Sequence, residues 1–169
     1  PNAQDFPSDV SPDGKWLLIN ANRIQGQMNL YRLNLETGDV EQITNHNNPA
    51  MGGDYTKDGS LIAYASSEEK NLVNQDIYLI KADGSDMKRV VQLKVGSKEI
   101  FADWSDNGHF FVFTTDVSGI NQVATYNLET GEVKYFGDAT QSENAMRVIG
   151  NDKILALSNH NASLSPFIY

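Results

Sequence analysis

Three observations predict an all-β fold, a β-propeller of four-stranded antiparallel blades. A six-residue turn motif recurs at nearly even spacing, a short apolar run follows each copy, and a second turn motif recurs in phase with the first. Self-similarity with a period of about 45 residues is typical of propeller blades. The 169 residues are therefore predicted to hold an incomplete propeller of about three and a half blades.

The first motif has the form Asp-x-(Ser/Thr)-x-(Asp/Asn)-Gly. Its copies lie at residues 9–14, 54–59, 103–108 and, in degraded form, 148–152. The glycines of the first three copies are 45 and 49 residues apart. Apolar runs follow at 16–19, 61–64, 110–113 and 154–157. Because these runs are too short for helices and follow tight turns, they predict buried strands.

The second motif, Asn-Leu-Glu-Thr-Gly, occurs at 34–38 and again, unchanged, 93 residues later at 127–131. A shorter version, Lys-Ala-Asp-Gly, lies between them at 81–84. Gly and Asn tolerate the positive φ of tight turns, so each copy is predicted to form a hairpin turn. This turn ends the predicted third strand and precedes a short fourth one. The predicted blades span about 5–45, 50–93, 100–137 and, truncated, 145–169.

Other architectures fit these repeats less well. No window shows the 3.6-residue period of a helix over three turns, which excludes a helical repeat. A β-sandwich or closed barrel stays open as an alternative, although neither requires a fixed period with identical turns. Propellers close with four to eight blades, so we expect a segment of a longer propeller that self-associates through its open blade edges.

Composition excludes several classes of partner. The chain has 22 acidic and 13 basic residues, a net charge of −9 and no cysteine. Nucleic-acid binding is not expected, because neutralising phosphates needs clustered Lys and Arg. No run of eighteen apolar residues is present, so no membrane partner is expected. Disulfides and thiolate metal sites are excluded outright.

The recurring turn resembles the first half of a calcium-binding EF-hand loop. Such a loop needs a glutamate at its twelfth position, where this sequence has Asn20, Ala65 and Thr114. We therefore interpret the motif as a turn whose side chains bond nearby backbone amides. The regular spacing of Asp9, Asp54 and Asp103 likewise indicates a structural role.

The remaining candidate residues favour no chemistry. His46, His109 and His160 lack metal-ligand spacing and are expected to be solvated or capping. Glu68-Glu69 is interpreted as a solvated loop, and Asn161-Ala162-Ser163 is a formal glycosylation sequon. Aromatic residues on predicted core strands are expected to pack between blades: Trp16, Trp104, Phe110, Phe111 and Phe113. No catalytic, cofactor-binding or metal-binding residue is predicted, and no cofactor.

The best place for a ligand or partner is one mouth of the propeller. The predicted loops that line it begin near Arg23–Gly26, Glu68–Lys70, Val117–Ile120 and His160–Ser163. Loops between strands carry function on many scaffolds, so this expectation rests on geometry alone.

The sequence resembles two propeller families. Ser11-Pro12-Asp13-Gly14-Lys15, followed by an apolar strand, is similar to repeats of TolB-like propellers and of the N-terminal propellers of the prolyl oligopeptidase family. Residues 114–123 and 159–169 resemble the connection between second and third strands in the acylaminoacyl-peptidase-like propellers of that second family.

The resemblance implies a propeller from a prolyl oligopeptidase-like serine peptidase. Such a propeller gates peptide access to an α/β-hydrolase domain elsewhere in the parent chain, and we expect a cytoplasmic location for it. That domain's nucleophile needs a Gly-x-Ser-x-Gly turn. None of the thirteen glycines here is followed two residues later by serine, so no catalytic residue carries over.

Two alternatives stay open. A TolB-like propeller would be a non-enzymatic protein-interaction module, periplasmic or secreted. A propeller lyase or glycosidase would need convergent carboxylates or histidines on first strands.

Overall fold

The computed structural model describes residues 4–24, 26–67, 74–160 and 163–169, apart from the side chain of His160. All regular structure in these ranges is β, in four antiparallel sheets, which confirms the predicted all-β class. The described residues include no helix that could span a membrane. The chain divides into two compact units, Pro1–Val90 and Val91–Tyr169.

The first unit holds two sheets, here called blades 1 and 2, in which strands consecutive in sequence pair in order. Blade 1 consists of β1 (Asp5–Val10), β2 (Trp16–Ala21), β3 (Asn29–Asn34) and β4 (Val40–Gln42). Blade 2 consists of β5 (Ala50–Tyr55), β6 (Leu61–Ser66), β7 (Asp76–Lys81) and β8 (Lys88–Val91), whose last residue opens the second unit.

The second unit holds blades 3 and 4 with the same pairing order. Blade 3 consists of β9 (Glu99–Trp104), β10 (Phe110–Thr115), β11 (Gln122–Asn127) and β12 (Val133–Tyr135). Blade 4 has three strands, β13 (Ser142–Ile149), β14 (Lys153–His160) and β15 (Ser163–Ile168). The four predicted apolar runs lie in β2, β6, β10 and β14, as the repeat indicated.

The first motif forms the turn between the first and second strands, and its side chains bond one another. In blade 1, Ser11 Oγ donates to Asp13 Oδ1 (2.6 Å) and accepts from the Trp16 amide (2.9 Å). Gly14 takes the positive φ of 71° that this turn requires. The same bonds recur in two later blades, from Thr56 to Asp58 and from Ser105 to Asn107.

The first residue of the motif ties one blade to the next. Asp9 Oδ2 accepts the backbone N–H of Tyr55 (2.9 Å), and Asp103 Oδ2 accepts that of Val148 (2.9 Å). Each bond therefore links the first strand of one blade to the first strand of the following blade in the same unit. We call these two contacts the aspartate clamps. They confirm the structural role predicted for Asp9 and Asp103.

A β-bulge accompanies each clamp. The pairing register shifts between Pro7 and Asp9 in β1. In β9 it shifts between Phe101 and Asp103, whose partners Phe113 and Val112 are adjacent in β10. Such a bulge adds a residue to one strand and re-aims the side chain beside it. In β5 the bulge contains Gly53, where a Cβ atom would lie 2.9 Å from Leu18 Cδ2 of blade 1. Gly53 also has a φ of 116°, a backbone conformation that residues with a Cβ atom rarely adopt.

An apolar core lies between the two blades of each unit. In the first unit, Leu18 and Leu30 of blade 1 pack with Ile62, Tyr64 and Tyr78 of blade 2. In the second unit, buried residues from both blades form one cluster: Val112, Val123, Ala145, Val148, Ile154 and Ala156. Apolar contacts therefore hold the two blades of each unit together, and the aspartate clamps fix the position of one first strand against the next.

Removing a clamp is expected to destabilise the fold. Asp103→Ala leaves the N–H of buried Val148 without its acceptor, at a cost of about 1–3 kcal/mol in the free energy of unfolding. Urea unfolding of the purified protein measures this cost. Asp106→Ala, at an exposed position of the same turn, is the control and should change the free energy by about 0.5 kcal/mol or less. Equal effects of both variants would contradict the clamp.

Candidate functional site

The three histidines lie in different surroundings. His46 lies between β4 and β5, where its Nε2 is 2.8 Å from the Tyr64 hydroxyl oxygen and its ring meets Tyr64 and Tyr78 edge-on. It is half-buried, so the expectation of a solvated or capping histidine is wrong here: two tyrosine rings cover it. His109 is exposed in the turn before β10. The side chain of His160 lies outside the described residues.

The predicted mouth loops connect second to third strands in every blade. Glu68-Glu69 and most of the sequon at Asn161 lie outside the described residues. Two of the loops bond to the start of a first strand. Arg23 binds Asp5 with both Nε (3.1 Å) and Nη2 (2.5 Å), and Asp116 Oδ1 accepts the Lys98 amide (2.7 Å). These bonds brace the loops but supply no reactive group.

Metal binding finds no support in the described part of the chain. No group of three or more His, Asp or Glu side chains there could hold a metal ion. The calcium-like turns use their oxygens internally, because Asp58 Oδ1 accepts from Thr56 Oγ1 (2.6 Å) and from the Ser60 amide (3.0 Å).

A cleft between blades 1 and 2 is the most distinctive site. Its cavity of about 220 Å³ opens beside the turns that follow the first strands. The lining residues come from both blades: Ser11, Pro12, Asp13, Trp16, Arg32, Tyr55, Asp58, Gly59 and Ala82. We call it the blade 1–2 cleft. Sequence reasoning missed it, because its walls are residues up to about seventy positions apart.

Arg32 braces this cleft. Its guanidinium carbon lies 4.1 Å from the centroid of the Trp16 ring, which is a cation–π contact. It donates through Nη1 to the Ala82 carbonyl (2.7 Å) in blade 2, and through Nε to Glu41 Oε2 (2.8 Å). Its Nη2 also lies 2.6 Å from that Glu41 oxygen. The positive charge of Arg32 is therefore compensated by Glu41, and three of its five N–H groups have partners.

Tyr55 contributes a hydroxyl group to the same region. The residue is only 4% exposed, and its hydroxyl has no hydrogen-bond partner among the described residues. Burial raises the pKa of Tyr55 to about 12, while Arg32 acts to lower it and Asp9 and Asp13 act to raise it. The phenol is therefore neutral at pH 7 and lies within electrostatic range of charged groups at the cleft.

Two turn carboxylates carry negative charge at the cleft. The hydrogen bond from Ser11 is the main cause that lowers the pKa of Asp13, and the bond from Thr56 does the same for Asp58. Both carboxylates are therefore ionised at neutral pH.

The second unit has a counterpart cleft at the same place in the repeat, with a volume of about 280 Å³. In the repeat, Thr125 of blade 3 is equivalent to Arg32 of blade 1, and Val148 of blade 4 is equivalent to Tyr55 of blade 2. Lys134 takes the place of Glu41 and lies 5.1 Å above the Phe136 ring. The two clefts therefore share a frame and differ in their polar groups.

Comparison with known proteins assigns the family. A family model described as the TolB beta propeller domain matches residues 4–165. The chain belongs to this family. A curated relative from Agrobacterium fabrum, the uncharacterized protein Atu1656, is 28% identical over an alignment of 112 residues that covers 62% of this chain and 38% of that protein.

Solved structures with different activities share the fold. TolB from Acinetobacter baumannii has a TM-score of 0.76 at 20% identity, and the match covers 98% of this chain and 40% of that one. A puromycin-hydrolyzing peptidase from Mycobacterium tuberculosis has a TM-score of 0.79 at 11% identity, covering 99% and 30%. An oligogalacturonate lyase from Vibrio parahaemolyticus has a TM-score of 0.70 at 15% identity, covering 93% and 53%.

These similarities show the fold alone, because every identity to a solved structure is low. The TolB-like propeller class predicted from the repeats is confirmed. This chain spans 30 to 53% of the three structures and 38% of the curated relative.

Acid should weaken the turn that contains Asp58. Its folded pKa lies below the ordinary value of 3.8, so its contribution to stability is complete above that value and is lost as the pH falls through the folded pKa. We expect Asp58→Asn to reduce the loss of stability between about pH 5 and pH 3, measured by urea midpoints. Asn107 makes the same turn in blade 3, so asparagine fits.

The matched control for this measurement is Asp106→Asn, at an exposed position outside this bonding pattern. It should leave the pH profile of the urea midpoint close to that of the unsubstituted protein. An Asp58→Asn profile that coincides with the control profile would contradict the role given to the Asp58 carboxylate.

Proposed function

We propose that this chain is a segment of a non-enzymatic, TolB-like propeller that acts as a protein-interaction module. The observation that carries the proposal is the size of the curated relative. The 112-residue alignment covers 38% of it, so it has at most about 295 residues. Six blades of about 45 residues account for about 270 of them. The remainder is smaller than even a small domain, which leaves no room for a hydrolase domain.

The repeat motif supports the same proposal. Its polar groups serve the fold: Asp9 and Asp103 form the clamps, and Asp13, Asp58 and Asn107 close the turns. A lyase or glycosidase would need carboxylates on first strands that are available to a substrate. The carboxylates of Asp9 and Asp103 are bonded to backbone amides instead.

The proposed module offers a rigid surface for a partner. Loops between second and third strands start from paired strands, and the bonds of Arg23 to Asp5 and of Lys98 to Asp116 hold two of them. The net charge of −9 would steer a basic partner segment toward the protein. We extend the proposal to a periplasmic or secreted location, and the cytoplasmic location stays with the peptidase alternative.

The second candidate is a propeller that gates a serine peptidase. It is favoured by the match to the puromycin-hydrolyzing peptidase, in which almost all of this chain corresponds to 30% of a longer chain. The resemblance of residues 114–123 and 159–169 to peptidase propellers points the same way. Partners on this alternative are an α/β-hydrolase domain of the same chain and a peptide substrate.

One experiment separates the two candidates. The native full-length protein is incubated with a fluorophosphonate probe, which labels activated serine nucleophiles, and its intact mass is measured before and after. We expect no adduct, and a mass that corresponds to a chain of about the relative's 295 residues.

A known serine hydrolase in the same reaction controls for probe activity. A labelled species, in a chain long enough to hold a further domain, would overturn the interaction-module proposal and favour the peptidase gate.

A further inference from the structure

The turn between the first and second strands of blade 3 contains a chemically labile pair. Asn107 is exposed and is followed by Gly108, and this is the only Asn-Gly pair in the sequence. Because glycine has no Cβ atom, its backbone nitrogen is open to approach by the side-chain amide of the preceding asparagine. Asparagine is among the thermally labile residues of proteins. The pair is therefore a candidate site of spontaneous deamidation.

Blades 1 and 2 have aspartate at the same position of the same turn. The glycines of the three turns have nearly equal φ values of 71°, 73° and 69°. Asp58 Oδ1 accepts the Ser60 amide at 3.0 Å, and Asn107 Oδ1 accepts the His109 amide at 3.0 Å. Asp13 Oδ1 makes the equivalent bond in blade 1 (3.1 Å). The turn is therefore compatible with a carboxylate at position 107.

The folded turn keeps the reacting groups apart. The Gly108 nitrogen, which is the nucleophile of deamidation, donates its N–H to the Ser105 carbonyl (2.9 Å). Asn107 Oδ1 accepts from Ser105 Oγ (2.9 Å) and from the His109 amide. The Gly108 nitrogen must lose its proton and reach Asn107 Cγ, so these bonds have to break before reaction. The closed turn should therefore slow deamidation.

Blade 4 holds this turn closed. The Asp106 N–H donates to the Gly150 carbonyl (3.0 Å), and the Asn107 N–H donates to Asn151 Oδ1 (2.8 Å). Both acceptors lie in the turn between β13 and β14. Opening the turn around Asn107 therefore also separates it from blade 4, so the reactivity of Asn107 depends on contact between the two blades of the second unit.

We propose that Asn107 is a deamidation site that reacts when its turn opens away from blade 4, and that its aspartate product fits the closed turn. In the open turn the Gly108 nitrogen loses its proton to base and bonds to Asn107 Cγ, and the side-chain nitrogen leaves as ammonia. Water then opens the resulting succinimide ring at one of its two carbonyl carbons, which gives aspartate or isoaspartate.

The two products differ in their fit to the turn. Aspartate restores the bonds that Asp13 and Asp58 make, and it adds one negative charge to the net charge of −9. Isoaspartate lengthens the main chain by one carbon atom, so it does not fit a turn closed by the Gly108 bond. This inference is independent of the choice between interaction module and peptidase gate.

The test follows deamidation in the native full-length protein at mildly alkaline pH. Mass spectrometry of the proteolytic peptide that contains Asn107 detects the exchange of nitrogen for oxygen, and chromatography separates the two products. The references are the same protein unfolded in urea and a free peptide of residues 105–109. Both references should react at least about tenfold faster than the folded protein, because reaction in the fold waits for the turn to open.

A matched pair of variants tests the role of blade 4. Asn151→Ala removes the acceptor of the Asn107 amide, so it should speed deamidation of the folded protein about fivefold. Asp152→Ala, at the next exposed position of the same turn, should leave the rate unchanged. Neither variant should alter the rate in urea.

A second pair tests the fit of the product. Asn107→Asp should leave the urea midpoint at neutral pH unchanged or raise it, because a carboxylate accepts the same bonds with a full negative charge. Asn107→Ala removes the acceptor and should lower the midpoint.

Equal rates in the folded protein and the free peptide would overturn the proposal, and so would an unfolded protein that stays unmodified at Asn107. Equal rates for Asn151→Ala and Asp152→Ala would remove the role of blade 4. An Asn107→Asp midpoint as low as that of Asn107→Ala would show that the aspartate product does not fit the turn. None of these outcomes bears on fluorophosphonate labelling, which tests the proposed function separately.

Discussion

The bond between an aspartate carboxylate and the backbone of the next blade is the constraint on which the rest of the structure depends. A first strand pairs along one edge only, with the second strand of its own blade. The clamp satisfies a backbone N–H on its other edge, at Tyr55 and at Val148. To reach that N–H, the aspartate must leave the regular pleat, which explains the bulge beside it. In blade 2 the bulge contains Gly53, whose φ of 116° favours glycine at this position beside Leu18.

The motif therefore has two structural roles. Positions that differ between the repeats are the better candidates for a functional role. Its first residue joins blades, while its third and fifth residues close a turn through their own side chains. What repeats is thus explained by folding. The informative positions are those at which equivalent residues of the repeats differ. The blade 1–2 cleft has Arg32 and Tyr55 where the counterpart cleft has Thr125 and Val148, so the polar groups of the two clefts differ. These differences, seen when the repeats are aligned position by position, are the sequence signal that could have identified the cleft.

Much of the fold could be predicted because strands and turns depend on local sequence. The apolar runs and the Asn-Leu-Glu-Thr-Gly turn marked the second, third and fourth strands, since Asn34 and Asn127 each accept two amides of their own turn. The clamps, the covering of His46 by Tyr64 and Tyr78, and the cleft depend on residues tens of positions apart. No local pattern reports such contacts. The choice between peptidase gate and interaction module likewise turns on the length of a relative, which lies outside this chain.

Native-state hydrogen exchange of the Tyr55 and Val148 amides tests the central claim most directly. Both amides sit on the unpaired edge of a first strand, where ordinary strand pairing cannot protect them. If the aspartate clamps hold the blades in register, both amides exchange only through large opening events, as slowly as amides of the central strands. If they exchange as fast as the amide of Val95, a turn residue that is 78% exposed, the clamps do not hold the blades, and the account of the repeat is wrong.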